Sequence, residues 1–257
     1  MAAQVILDRK KLLAFINSFG SNIEDLLLVV KDNRVYGAVD TPTHYCSKSM
    51  GVLISADVKY RPGNIYISDV AKVITFLKAS SQELCIVNQW EGALNLKTGR
   101  DSLQLPSHTH IRSAVNLDRA NVAVKAMIDC NFTKIGPALM DIHGSLNMDD
   151  IRGLSTAVRI AGKDAPCKIR VCPTDKQFVV TVGHLVGAAN MNRVVELNNI
   201  TGTKESFTYF GSHLPQTLSC MSDGMVDFHM GNNAALVLQH HEHDDLLILK
   251  HQQGVNS

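Results

Sequence analysis

The run His240-His241-Glu242-His243-Asp244-Asp245 is the densest group of side chains that could hold a metal or move protons, since imidazole nitrogens and carboxylate oxygens are ordinary zinc ligands. It stands between two apolar stretches, 235–238 and 246–249, where a chain reversing between strands needs a polar loop. The loop reading accounts for it without a metal. Asp149-Asp150 could serve as a paired acid, but it opens a helical pattern, where carboxylates stabilise the dipole. Gly183-His184-Leu185-Val186-Gly187 lacks the strand-to-helix setting of a dinucleotide site. The six cysteines (46, 85, 130, 167, 172 and 220) contain no C-x-x-C pair and mostly sit in apolar runs, as small buried hydrophobes of a reducing compartment do. Phosphate-loop, H-E-x-x-H, G-x-S-x-G and zinc-finger patterns are missing from the sequence. No catalytic residue, metal ligand or cofactor is therefore assigned, and the expectation is a protein that is not an enzyme.

Composition narrows the classes further. Apolar residues make up 45% of the 257-residue chain and charged residues 19%, which excludes wholesale disorder. The formal net charge of +1 argues against holding nucleic acid by bulk neutralisation of phosphates. Any such contact must come from a local stripe. No apolar run reaches the roughly 18 residues of a membrane span, and Met1-Ala2-Ala3-Gln4 is not the basic-then-apolar opening of a secretory leader. A cytoplasmic location without membrane contact is expected.

The elements that must position any function occur twice. Ala93-Leu94-Asn95-Leu96 returns as Ala235-Leu236-Val237-Leu238, 102–105 returns as 246–249, and the turn around 30–36 returns around 172–179. One nearly constant offset indicates two domains of one fold. The first half reads as a strand at 5–7, then a helix over 8–19 capped by Asp8, with Leu12, Leu13, Ile16 and Phe19 inward. Strands at 26–30, 34–39 and 45–50 follow, then a helix over 68–79 burying Val70, Val73, Ile74 and Leu77, then strands at 84–88, 93–97 and 102–105. The second half opens with a strand at 142–146, and Asn147 caps a helix that buries Ile151, Leu154 and Val158 and ends at Gly162. Strands at 169–172 and 177–183, and others up to 209, precede a short helix capped by Ser212 with Pro215 in its first turn. Strands at 225–230, 235–240 and 246–250 close the half. The irregular stretch 106–119 reads as a connector, and 121–134 fits either a strand or a helix. The expected organisation is domain 1 over 1–107, a connector over 108–124 and domain 2 over 125–257.

Charge follows the helices. Arg152, Thr156, Arg159 and Lys163 fall at spacings that align them along one helix face. Lys10, Lys11, Lys72 and Lys78 lie away from the apolar stripes of the two earlier helices. Asp8, Asp69, Asp149 and Asp150 sit at helix starts, so the outer faces are weakly basic.

This layout resembles the two-domain DNA polymerase sliding clamps, the family of proliferating cell nuclear antigen, its archaeal relatives and shorter phage clamps. The resemblance rests on element order, on Val39-Asp40-Thr41-Pro42-Thr43-His44 beside the family's Met-Asp-Ser-Ser-His stretch, and on the closing strands 235–238 and 246–249. It implies an α+β fold of two tandem clamp domains, with helices on one face and antiparallel sheets on the other. It also implies a homotrimeric ring around duplex DNA that tethers a DNA polymerase and is placed by a clamp loader. Lys10, Lys11, Lys72, Lys78, Arg152, Arg159 and Lys163 would line the hole. Partner peptides would dock near Val39, Asp40, His44, Ile111, Val115, Leu117, Ala235, Ile248, Leu249 and His251. The chain departs from the family in its Lys250-His251-Gln252 tail, its connector and its near-neutral charge, which favours a divergent viral or phage clamp. A monomeric processivity factor of the same fold and a viral structural or scaffold protein remain alternatives.

Overall fold

A computed structural model describes residues 3–20, 23–52, 60–90, 92–106, 111–130, 132–135, 138–162, 164–183, 190–240 and 242–251, with the side chains of 111–118, 138 and 155 outside the description. The chain forms two compact units, one of residues 1–40 and 46–128, the other of 41–45 and 129–257.

The first unit is built from β1 (Ala3–Asp8), α1 (Arg9–Asn17), β2 (Leu26–Lys31), β3 (Arg34–Asp40), β4 (His44–Gly51), β5 (Gly63–Ile67), α2 (Val70–Ala79), β6 (Leu84–Trp90), β7 (Ala93–Thr98), β8 (Asp101–Pro106) and α3 (Ile111–Asp129). Its strands run β1-β6-β7-β8 in one sheet and β4-β3-β2-β5 in another. Asp8 caps α1 by accepting from the Lys11 amide, and Asp69 caps α2 by accepting from the Lys72 amide, as their positions before apolar-periodic segments predict. Asp32 and Asn33 both take positive φ, the conformation a two-residue hairpin between β2 and β3 requires. Gly37 on β3 lies under α1, where a Cβ would come within 2.7 Å of Phe19 and 2.8 Å of Phe15. On the other face of the same hairpin, Ala120, Val124 and Ile128 of α3 pack on Leu27, Val29, Tyr36 and Ala38. β2 is thus covered on both sides, which is why it reads as the unbroken apolar run Leu-Leu-Leu-Val-Val.

The second unit contains β9 (Lys134–Ile135), β10 (Ala138–Leu139), β11 (Ile142–Asn147), α4 (Met148–Arg152), α5 (Leu154–Ala161), β12 (Cys167–Cys172), β13 (Gln177–Val182), β14 (Met191–Glu196), β15 (Ile200–Thr201), β16 (Ser206–Phe210), α6 (Leu214–Leu218), β17 (Met225–Met230), β18 (Leu236–His240) and β19 (Asp245–Leu249). Strand orders β11-β17-β18-β19 and β14-β13-β12-β16 repeat those of the first unit, with the short β15 added beside β11. Phe178 of β13 meets Phe228 of β17 edge to face at 5.4 Å, so the two sheets share one core.

Two expectations are corrected here. From Ile111 onward the anticipated irregular connector is the 19-residue helix α3, and its residues through Ile128 belong to the first unit. Its inward alanines and valines give it a sheet to cover, and that packing decides its conformation. The anticipated single helix over 147–162 breaks at Gly153, which ends α4 and starts α5, since glycine gives a helix interior the least support of any residue but proline.

Candidate functional site

Helices α1 and α2 of the first unit pack together and present lysines outward. Lys10, Lys11, Lys72 and Lys78 are all exposed. Between their caps neither α1 nor α2 contains Asp or Glu. Asp69 is engaged by the α2 start and by Lys72, at 2.8 Å from its Nζ, and the carboxyl is held below its usual range first by its hydrogen bonds to Lys72. Lys78 sits in the last turn of α2, where a cation faces the negative end of the dipole. Arg9, which the sequence did not single out, ties the two helices: its guanidinium donates to the carbonyls of Leu77 and Gln82, each at 2.6 Å.

The second unit treats its cations differently. Arg152 does not extend an outward line with Arg159. It is half-buried, donates to the Met221 carbonyl and pairs with Asp223. The break at Gly153 turns its side chain toward the segment before β17, so it acts as a tie within the unit. Arg159 is exposed, with Thr156 Oγ1 at 3.5 Å. Lys163 lies outside the described residues. Asp149 and Asp150 are exposed in the first turn of α4, so this helical surface is of mixed sign.

A second cluster gathers around His44, whose segment 41–45 packs with the second unit. Thr41 Oγ1 receives the His44 amide at 3.0 Å, and the His44 Nδ1 lies 2.9 Å from Thr41 Oγ1 and 3.0 Å from Thr43 Oγ1. The Lys250 amide donates to the Thr43 carbonyl at 2.9 Å. Lys250 Nζ donates to the Thr41 carbonyl and stands 3.9 Å above the Tyr45 ring, a cation-π contact. His44 is 8% exposed, and its pKa is lowered to about 4 by burial, then by Lys250 and by His213. The ring is neutral at physiological pH. Its Nε2 and that of His213 are buried and have no hydrogen-bond partner among the described residues. Such an atom costs about 1–3 kcal/mol, which an incoming polar group could recover.

Other residues anticipated for partner binding separate into three groups. Val39, Ile248 and Leu249 are 2%, 1% and 0% exposed and pack in the core. Asp40, Ala235 and His251 are partly exposed, with His251 Nδ1 3.3 Å from Thr208 Oγ1. Ile111, Val115 and Leu117 lie on α3 with side chains outside the description. His240 and Asp245 end β18 and open β19 as a paired position; the His240 Nε2 is 2.8 Å from the Asp223 carbonyl, and Asp245 accepts from the Ser222 hydroxyl at 2.6 Å. Among the described residues no group of three or more His, Cys, Asp or Glu is placed to hold a metal.

No protein-family model and no curated protein matches the chain. Solved structures do. A Helicobacter pylori beta clamp bound to a DNA ligase peptide matches at 12% identity and a TM-score of 0.71, covering 100% of this chain and 68% of that one. The chain has the sliding-clamp fold. A Pseudomonas aeruginosa DNA polymerase sliding clamp matches at 15% identity and TM-score 0.70, over 99% of this chain and 65% of that one. The DNA polymerase III subunit beta of the same organism matches at 14% and 0.68, over 99% and 66%. The chain thus spans about two thirds of the length of the clamps it matches. The sliding-clamp architecture of tandem helix-and-sheet units is the one that the resemblance implied.

Proposed function

We propose that this protein is a DNA sliding clamp: a homotrimeric ring that encircles duplex DNA without sequence preference, tethers a DNA polymerase and is placed by a clamp loader. The observation that carries the reading is the outer surface of α1 and α2. Four lysines there face outward, and every carboxylate is confined to a cap. Such a surface attracts phosphate loosely, and contacts to phosphate alone carry no sequence preference. A closed ring needs no tighter grip, because linkage prevents loss. Two units occupy two thirds of the length of the matched clamps, and three copies of this chain would bring six units to the ring.

The His44 cluster supports the second half of the reading. A neutral imidazole with an unmatched Nε2, beside Thr41, Thr43 and Lys250, suits a short peptide that supplies main-chain or amide groups. Tethering raises the local concentration of the polymerase at its template without altering its chemistry. The neutral balance and divergent tail fit a phage or viral clamp working in the host cytoplasm.

Solution mass and topology test the proposal. Light scattering should give three times the 28.1 kDa chain mass, and the protein loaded on nicked circular DNA should be released when the circle is cut. A monomer at micromolar concentration, or retention on linear DNA with free ends, would refute the ring.

A further inference from the structure

The duplication lets one sheet face be compared between the units position by position. In the first unit, the side chains two and four residues before the end of β2 are Val29 and Leu27, opposite Tyr36 and Ala38 on β3. These carry α3. The matching positions of β12 are Arg170 and Lys168, opposite Val179 and Thr181 on β13 and opposite Phe207 and Tyr209 on β16. Cations have replaced the two aliphatic residues that seat the helix in the first unit.

Among the described residues the rest of this second face is only partly covered, with Val179 at its centre 7% exposed. Lys168, Arg170, Phe207 and Tyr209 are all partly exposed, and Val194, beside Val179, is 51% exposed. Phe207 and Tyr209 meet edge to face at 5.8 Å. Lys168 Nζ is 4.6 Å from the Phe207 ring centre and 5.5 Å from that of Tyr209, and it has no ion pair among the described residues. Arg170 shares Glu205 at 3.4 Å, with both side chains part-exposed, a pair that a better-placed carboxylate can displace.

We propose that this face docks an acidic amphipathic helix of a partner protein, seated over β12 and β13 as α3 is seated over β2 and β3. Its apolar stripe would cover Val194 and the two rings, above the buried Val179, and its carboxylates would meet Lys168 and Arg170. The same hairpin in the first unit already accepts a helix on this side, so the backbone spacing suits one. A purely apolar helix is disfavoured, because it would strip water from two cations without pairing them. Single-stranded nucleic acid is disfavoured too: base stacking needs open ring faces, and the Lys168 ammonium stands over these.

A fluorescent synthetic helix of about 18 residues, with Leu at i, i+3, i+4 and i+7 and Glu on both flanks, tests the proposal by anisotropy against the full chain. Binding at about micromolar strength is expected. It should fall at least about tenfold for Lys168→Glu and for Arg170→Glu, and equally when the peptide's Glu are replaced by Gln. Circular dichroism and solution mass of the variants should match the parent. Absence of binding, or binding by the two variants as strong as by the parent, overturns the proposal. So does a labelled oligothymidylate that binds through Phe207 and Tyr209 while the peptide does not. The readout is binding to the isolated protein, so it stands apart from any result on ring closure or DNA loading.

Discussion

Replacing Arg152 separates a structural tie from a phosphate contact. Its partner Asp223 has a side chain 70% exposed, against 31% for Arg152, so the ion pair contributes about 0–1 kcal/mol. The bond to the carbonyl of Met221, a residue 2% exposed, is charge-assisted and is worth about 1.5–3 kcal/mol. The buried Nε without a partner offsets part of this. Arg152→Ala should therefore cost about 1–3 kcal/mol, and Asp223→Ala no more than about 1 kcal/mol. Urea unfolding followed by circular dichroism would give the totals. Hydrogen exchange should locate the loss at α4 and at 219–224. Unchanged stability for Arg152→Ala, together with weaker polymerase stimulation on DNA, would show that the guanidinium faces phosphate and that the reasoning is wrong.

Further outcomes follow from the same contacts. Lys10→Glu combined with Lys72→Glu should lower polymerase stimulation several-fold at about 0.1 M salt and flatten its salt dependence, while stability stays within about 0.5 kcal/mol. His44 has a folded pKa below its unfolded one, so its contribution is complete above about pH 6.5 and is lost as pH falls toward 4, by up to about 3 kcal/mol. His44→Gln should flatten that part of the stability profile, and an unchanged profile would rule the histidine out as its source. Gly37→Ala should destabilise by about 1–3 kcal/mol, since its Cβ would press on two α1 phenylalanines; a neutral melting temperature would show that α1 can shift freely.

What could be read from the residues was mostly local. Asp8 and Asn147 precede apolar-periodic segments and do cap helices, because a cap is decided within four residues. The alternation at 93–97 and 102–105 gave a hairpin whose register pairs Leu94 with Leu105. α3 was hidden for a physical reason. Its inward positions include Ala120 and Ala123, small residues that do not mark a face, while Val122, Val124, Ala126 and Ile128 alternate as a strand would. The contacts of Arg152 were not legible because spacing along one helix assumes that the helix continues, and Gly153 interrupts it. Val39, Ile248 and Leu249 were apolar enough for a pocket and equally so for a core, a choice that only burial decides. The His44 arrangement depended on Lys250, 206 positions along the chain, and pattern-reading does not span that distance.

A strand insulated from water on both sides opens less often than one wetted on a single side. Amide protons of β2, sandwiched between α1 and α3, should outlast those of β12 in deuterium, so two halves drawn to one plan would age at different rates.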